Sequence, residues 1–371
     1  MQFRHKSDET AARGMPMFET QSQRAGKQAQ QIQISGDFVV NQGISEERAT
    51  EIADSTARAL WTNYTSEAWA LALQRMQVFD QKLVDLFARN DQLSAFADPG
   101  FAVTLKKAQL GAATTEREPD YDMLVRLLSD RADRGENRTI RAGLNRAVEI
   151  VDQMDDSALR ALTVFQAASQ FYPGAGTLAR GLDILDTLFH ELLDGPLPTG
   201  DAWLDHLDML DAVRMSRVMS LREFDEFFPS QMSGYLASGV EADSEAEAAS
   251  KTLLLTMGFR LDVVDHELKP GFRRLATSKL ASFENSLLST LTAERKELIL
   301  ETARITYGLG PVSPSLVRPF MEQVELRSSL RTVAEWWRQI PFAPHVTSAG
   351  SVLARANAKR LDTKNLLPTL G

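Results

Sequence analysis

Histidines and carboxylates in one acidic stretch are the first candidates for chemistry. His190 and Glu191 begin like a zinc-binding helix, but Asp194 stands where an HExxH motif has its second histidine. Asp205 and His206 follow after a turn rich in proline and glycine. If the flanking helices fold together, these groups meet as the metal site of a metal-dependent hydrolase. The alternative is a solvated acidic face, and the missing histidine favours it.

Basic side chains in the last third of the chain are the second candidates. Residues 250–371 hold 17 Lys and Arg against 11 Asp and Glu, although the whole chain has a net charge of -9. A basic face there would bind the phosphates of nucleic acid or of an anionic membrane. The acidic remainder of the chain disfavours such polyanions. The predicted anion-binding residues are Arg273, Arg274, Lys279, Arg355, Lys359 and Arg360.

A long helix dominates the predicted elements. No proline or glycine occurs between Ser45 and the stop at Asp98, and apolar residues recur every three or four positions. We therefore predict one amphipathic helix over residues 44–97, about 75 Å long at about 1.5 Å per residue. Because that apolar side is longer than a small domain, we expect a second copy of the chain to cover part of it.

A short leader, residues 31–43, precedes the helix. Its apolar residues alternate with polar ones around Gly36 and Asp37, which predicts a β-hairpin. An isolated hairpin is barely stable, so it pairs either with a neighbouring copy or with its own helix. The predicted oligomer interface comprises Ile32, Ile34, Phe38, Val40, Ile52, Leu60 and Tyr64.

The other segments complete a mainly α fold, a helical bundle with one short hairpin. Residues 1–30 are polar and predict a flexible arm. Consecutive amphipathic stretches predict a bundle domain over residues 98–237. The small, acidic residues 238–250 predict a linker, and residues 251–371 a smaller, basic, helical C-terminal domain.

Composition excludes several classes of protein. The chain has no cysteine, which rules out disulfides and thiolate metal sites. Its first residues lack the apolar core of a signal peptide, and no apolar run reaches the roughly 18 residues of a membrane helix. These features predict a cytoplasmic protein, and no motif predicts a cofactor.

Three landmarks resemble a family of uncharacterised bacterial proteins with placeholder names. They are the Gln33–Asp37 leader before the long helix, the Phe96–Pro99 stop followed by YDMLVRLL, and the Val346–Gly350 turn before an alanine-rich helix. The resemblance implies a component of bacterial conflict systems, including defence against phage, and it brings no catalytic residues. We therefore predict a non-enzymatic, self-associating sensor or scaffold that acts with a partner protein of the same system.

Overall fold

Helices make up most of the structure, as the apolar periodicity predicts. The computed structural model describes residues 44–58, 66–216, 220–256, 258–287 and 291–367. The mainly α fold class is confirmed. The helices of the first two thirds are α1 Glu46–Arg58, α2 Ser66–Arg89, α3 Pro99–Thr114, α4 Glu118–Arg134, α5 Arg138–Ile150, α6 Asp156–Gln170, α7 Leu178–Leu192, α8 Ala202–Met209 and α9 Phe224–Gln231.

The last third contributes further helices, and five short strands are spread along the chain. The helices are α10 Glu245–Thr256, α11 Leu280–Ser286, α12 Ala293–Tyr307, α13 Pro314–Glu325, α14 Ser328–Trp337 and α15 Ser348–Leu361. The strands are β1 Val213–Ser216, β2 Val240–Glu241, β3 Val263–Asp265, β4 Phe272–Leu275 and β5 Ala343–Val346. Two short 3₁₀ helices cover Leu93–Ala97 and Val151–Gln153.

The main hydrophobic core joins helices from both ends of the chain. It takes buried side chains from α2 to α9 and again from α13 to α15. The last helix, α15, packs against α4, α5 and α6, and Leu353 and Ala356 are fully buried there. We call this assembly the body.

A strand pair holds the start of α15 against the body. β1 and β5 pair antiparallel, with Val213 opposite Val346. Thr347, the residue after β5, accepts a hydrogen bond from Gly350 N and so caps α15. Its hydroxyl donates to Asp211 O at 2.6 Å. The cap therefore also anchors the helix to the end of α8.

Residues 240–309 form a small α/β unit, which we call the satellite. Its sheet has the order β2–β4–β3 and is antiparallel throughout. One small apolar cluster holds α11 and α12 against this sheet, with Ala303 and Tyr307 fully buried, and a second packs α10 against α12, with Leu254 and Ile299 buried.

The prediction of one helix over residues 44–97 is wrong. α2 ends at Arg89, because Asp91 takes a left-handed conformation (φ 56°) and Gln92 N closes the end by donating to Phe87 O at 2.9 Å. α1 packs beside α2 and is not its straight continuation. Residues 59–65 lie outside the described residues.

The apolar side of α2 is covered within the chain. Phe79, Leu83 and Phe87 are fully buried, and the Phe87 ring lies 5.5 Å from that of Phe101 on α3. The length of a rod with one uncovered side was the reason for expecting a second copy there. That reason no longer holds, because α3 and α4 cover the helix.

The predicted domain boundary also needs correction. Residues 238–250 contain β2 and the start of α10, and they do not form an extended linker. Residues 251–371 are not a separate domain, since α13, α14 and α15 belong to the core of the body. The predicted arm and hairpin, residues 1–30 and 31–43, lie outside the described residues. None of the described helices has the length and apolar character needed to cross a membrane.

Asp80 on α2 should make stability depend on pH. Burial raises the pKa of Asp80 to about 6, against the opposing effect of Gln109, whose Nε2 donates to the carboxylate at 3.0 Å. The folded-state pKa thus exceeds the ordinary value of 3.8. The native state therefore holds this proton more tightly than the unfolded chain, and the free energy of unfolding falls as pH rises between these two values.

Replacing Asp80 by asparagine should remove that loss. We expect Asp80→Asn to raise the free energy of unfolding by about 2 kcal/mol near neutral pH and by almost nothing near the unperturbed pKa. Urea unfolding across this pH range measures the difference. Asp85→Asn, at an exposed carboxylate on the same helix, is the control and should change stability by less than about 0.5 kcal/mol. A pH-independent gain from Asp80→Asn would contradict the assignment.

Candidate functional site

The predicted metal ligands do not converge. His190 is exposed at the end of α7, whereas the His206 ring on α8 accepts a hydrogen bond from Asp155 N at 3.1 Å. Asp194 forms ion pairs with Arg160 and Arg360. Among the described residues, no group of three or more histidine or acidic side chains is arranged to hold a metal ion. The geometry therefore gives the metal-dependent hydrolase no support.

Three of the predicted anion-binding residues belong to the satellite and have partners within the chain. Arg273 pairs with Asp243 at 2.9 Å and with the buried Glu247 at 2.8 Å. The ammonium group of Lys279 lies over the Tyr172 ring, 5.1 Å from its centroid. Arg274 is fully buried.

The other three lie on α15, in the body. Lys359 pairs with Asp130 at 3.5 Å. Arg360 donates to Asn357 Oδ1 and lies 3.8 Å from Asp194. Arg355 is half-buried beside α6. The six cations are thus divided between two parts of the structure, and the expected single basic face is not assembled.

Arg274 joins the satellite to the body. Its guanidinium makes a two-point ion pair with Glu267, at 2.8 and 2.9 Å, and donates to Leu275 O at 2.8 Å and Gly176 O at 3.1 Å. Glu267 in turn accepts from Leu178 N at 2.9 Å, the first residue of α7. Five donor–acceptor contacts therefore converge on one ion pair, whose arginine is fully buried and whose glutamate side chain is 30% exposed.

A tyrosine completes this joint. The Arg274 guanidinium carbon lies 4.9 Å from the centroid of the Tyr235 ring. Burial raises the pKa of Tyr235 to about 12, so its hydroxyl stays protonated and donates to Ala175 O at 2.7 Å. Because the Arg274 guanidinium is buried and hydrogen-bonded within the chain, this arginine has a structural role and not a ligand-binding one.

Of the predicted oligomer interface, only Ile52 falls within the described residues. It is half-buried and packs against the body core. The other members lie outside the described residues: Ile32, Ile34, Phe38, Val40, Leu60 and Tyr64.

The outer edge of the satellite sheet is a candidate interaction site. β3 is the terminal strand of the sheet, so one of its sides has no partner among the described strands. Asp262 O accepts a hydrogen bond from Ala276 N at 2.9 Å, and Val264 is paired with Arg274. The backbone N–H and C=O groups of the even-numbered residues therefore point towards β4. Backbone groups of successive residues in an antiparallel strand point alternately to its two sides. The backbone N–H and C=O of Val263 and Asp265 therefore point away from the sheet.

An open groove of about 770 Å³ adjoins this edge, between α10 and the residues that lead into β3. Charged side chains of both signs border it. Its apolar lining consists of Leu254, Leu255, Phe259, Leu261 and Val263. Leu255 is 62% exposed, so apolar surface is left uncovered here. An unpaired strand edge beside an apolar groove can bind an extended segment by strand addition.

The model of a family of uncharacterised proteins, known by a placeholder name, matches residues 43–366. The chain belongs to this family. The match begins at Gly43, the last residue of the predicted hairpin leader, and it includes the body and the satellite. It does not connect the family with bacterial conflict. No curated protein and no solved structure matches the chain.

Sequence reasoning missed the joint and the open edge for different reasons. Glu267 and Arg274 are seven residues apart, across a Lys269–Gly271 turn, and this spacing could have predicted a hairpin with an ion pair. No spacing or motif of this kind in the sequence could have predicted the groove. It depends on α10 lying beside the residues that lead into β3, which no local pattern in residues 245–265 specifies.

Proposed function

We propose that this family member is a non-enzymatic interaction module that self-associates through the outer edge of β3. The observation that carries the proposal is the outward-facing backbone of Val263 and Asp265, which no described strand pairs with, beside the apolar groove. A two-fold axis at Val263 would place Leu261 of each copy opposite Asp265 of the other. The outward-facing residues of both strands would then pair as an antiparallel ladder, giving one sheet across two copies.

Covering the groove would stabilise this pairing. Leu255 on α10 lines the groove and is exposed in the single chain. It would lose contact with water as the second copy approached, at a gain of about 25 cal/mol for each Å² of apolar surface buried. The backbone hydrogen bonds would fix which residues of the two strands pair, and the groove would contribute the apolar surface that is buried.

Val263→Pro tests the edge directly. Proline removes one backbone N–H, and at Val263 that N–H faces outward and does not bond to β4. We expect the parent chain to be a dimer and the variant a monomer of unchanged helical content. Sedimentation equilibrium and circular dichroism measure these two properties.

One further variant tests the groove, and another is the control. Leu255→Glu should also yield a monomer, because it puts a charge into the groove without changing the strand. Leu326→Glu alters a leucine that is 74% exposed at the end of α13, away from the groove, and should remain a dimer. A monomeric parent, or a dimeric Val263→Pro variant that is folded, would refute the proposal.

The wider role that we propose is a sensor or scaffold in bacterial defence against phage, acting with a partner protein. Its support is the resemblance of the leader, the Phe96–Pro99 stop and the Val346–Gly350 turn. Bacteria that express the parent chain with its neighbouring genes should form fewer plaques than bacteria expressing Val263→Pro. Equal plaque numbers across a broad panel of phages would count against the role.

A further inference from the structure

A polar cleft in the body lies between α6 and α15, far along the chain from the satellite. Two adjoining cavities form it, an outer one of about 270 Å³ and an inner one of about 140 Å³. Gln166, Gln170 and Ser351 line both. The Gln166 amide donates to Ser351 Oγ at 3.0 Å and marks the boundary between the cavities.

The charged residues that line the cleft are arginines. Arg134, the last residue of α4, lines the outer cavity, and Arg355 lines the inner one. No aspartate or glutamate of the described chain lines either cavity. Asp130 is close by, but it already pairs with Lys359 at 3.5 Å. In a chain with a net charge of -9, this is a local concentration of positive charge.

Several polar side chains of the outer cavity have no hydrogen-bond partner among the described residues. Within the described residues, the guanidinium of Arg134 forms no hydrogen bond or ion pair, and neither do the side chains of Thr139, Gln170 and Ser348. An arginine with hydroxyl and amide donors around it is suited to the oxygens of a phosphate group. The N-termini of α5 and α15, where Thr139 and Ser348 stand, add partial positive charge.

The inner cavity has a different character. Phe171, Ala354 and Leu367 supply apolar walls, and Thr163 and Ser351 add hydroxyl groups. Burial lowers the pKa of Arg355, and the nearby charge of Arg134 lowers it further, while Asp130 opposes the change. A bound anion would relieve the repulsion between these two arginines.

We propose that this cleft binds a small organic phosphate. The phosphate occupies the outer cavity against Arg134, Thr139 and Ser348, and the organic part, a ring or a short carbon chain, enters the inner cavity beside Phe171. The site is independent of the proposed dimer, since none of its residues belongs to the satellite. It would give the protein a ligand to sense.

Thermal unfolding of the full chain with four probes tests the proposal: adenosine monophosphate, ribose 5-phosphate, adenosine and inorganic phosphate. Binding to the folded state raises the melting temperature. We expect at least one phosphate ester to raise it and to bind about tenfold more tightly than inorganic phosphate. Adenosine should have no effect. If no phosphate ester binds, or if esters and inorganic phosphate bind equally, the proposal is wrong, and the latter result would indicate an adventitious ion only.

Variants connect the binding to the cleft. Arg134→Gln should weaken ester binding at least about tenfold in calorimetric titration, because it removes the cation from the outer cavity. Arg138→Gln, at an exposed arginine that begins α5 and does not line the cleft, should bind like the parent. Equal binding by both variants would overturn the assignment. Val263→Pro should bind the ester normally, so failure of the dimer and failure of this site can be told apart.

Discussion

Replacing Arg274 by methionine should lower the free energy of unfolding by about 2 to 4 kcal/mol, because the carbonyls and the carboxylate that its fully buried guanidinium serves would lose their donors. The Glu267 carboxylate would lose its two-point partner, and Gly176 O and Leu275 O would each lose a donor. Urea denaturation followed by circular dichroism measures the loss. Because the pair joins satellite and body, amide hydrogen exchange should also speed up in residues 240–309.

A double variant separates the ion pair from simple loss of packing. Arg274→Met with Glu267→Gln removes both charges and should cost less than Arg274→Met alone. Arg318→Met is the matched control, since that side chain is 90% exposed and, among the described residues, pairs only with Glu322 on its own helix. It should cost less than about 0.5 kcal/mol. Equal losses from the Arg274 and Arg318 variants would show that the hydrogen bonds and ion pair of Arg274 do not stabilise the fold.

Gly350→Ala should be the second strongly destabilising change. Alanine is normally favoured over glycine inside a helix, by about 1 kcal/mol. At Gly350, near the start of α15, an added Cβ would lie 1.9 Å from Ala212 O. That carbonyl accepts from Thr347 N at 3.1 Å, so it cannot move without loosening the anchor of α15. We expect a loss of about 3 kcal/mol in place of a gain.

Gly174→Ala is the control for this prediction. Gly174 lies in the loop before α7, and an added Cβ there meets no atom within 4 Å. The free energy of unfolding should change by less than about 0.5 kcal/mol. Thermal and urea unfolding of both variants give the comparison. If Gly350→Ala is as stable as the parent, the close contact between α15 and the end of α8 is not rigid.

Local patterns in the sequence were sufficient for some elements. The buried face of α2, with Phe79, Leu83 and Phe87, follows directly from spacings of three and four residues. The end of α2 did not follow, although Asn90 and Asp91 were a signal, since these residue types tolerate the left-handed conformation that closes a helix. The absence of glycine and proline was therefore weaker evidence for a continuous helix than the interpretation assumed.

The predicted binding residues show a different limit. Counting charges identifies Arg274 and Lys359 as cations, but it does not show that Glu267 and Asp130 neutralise them. The first pair depends on the register of β3 and β4, and the second brings together α4 and α15 from opposite ends of the chain. The polar cleft depends on the same distant packing, and Arg134 and Arg355 are separated by more than half of the sequence.

The sequence by itself determined the mainly α class and the buried faces of the helices, because these depend on apolar residues a few positions apart. The tertiary structure alone decided that α1 lies beside α2, that the last helices complete the first core, and which charges remain without partners. These outcomes depend on contacts between residues tens to hundreds of positions apart. Their energies come from shape, burial and ion pairing between whole elements, and no local pattern records them.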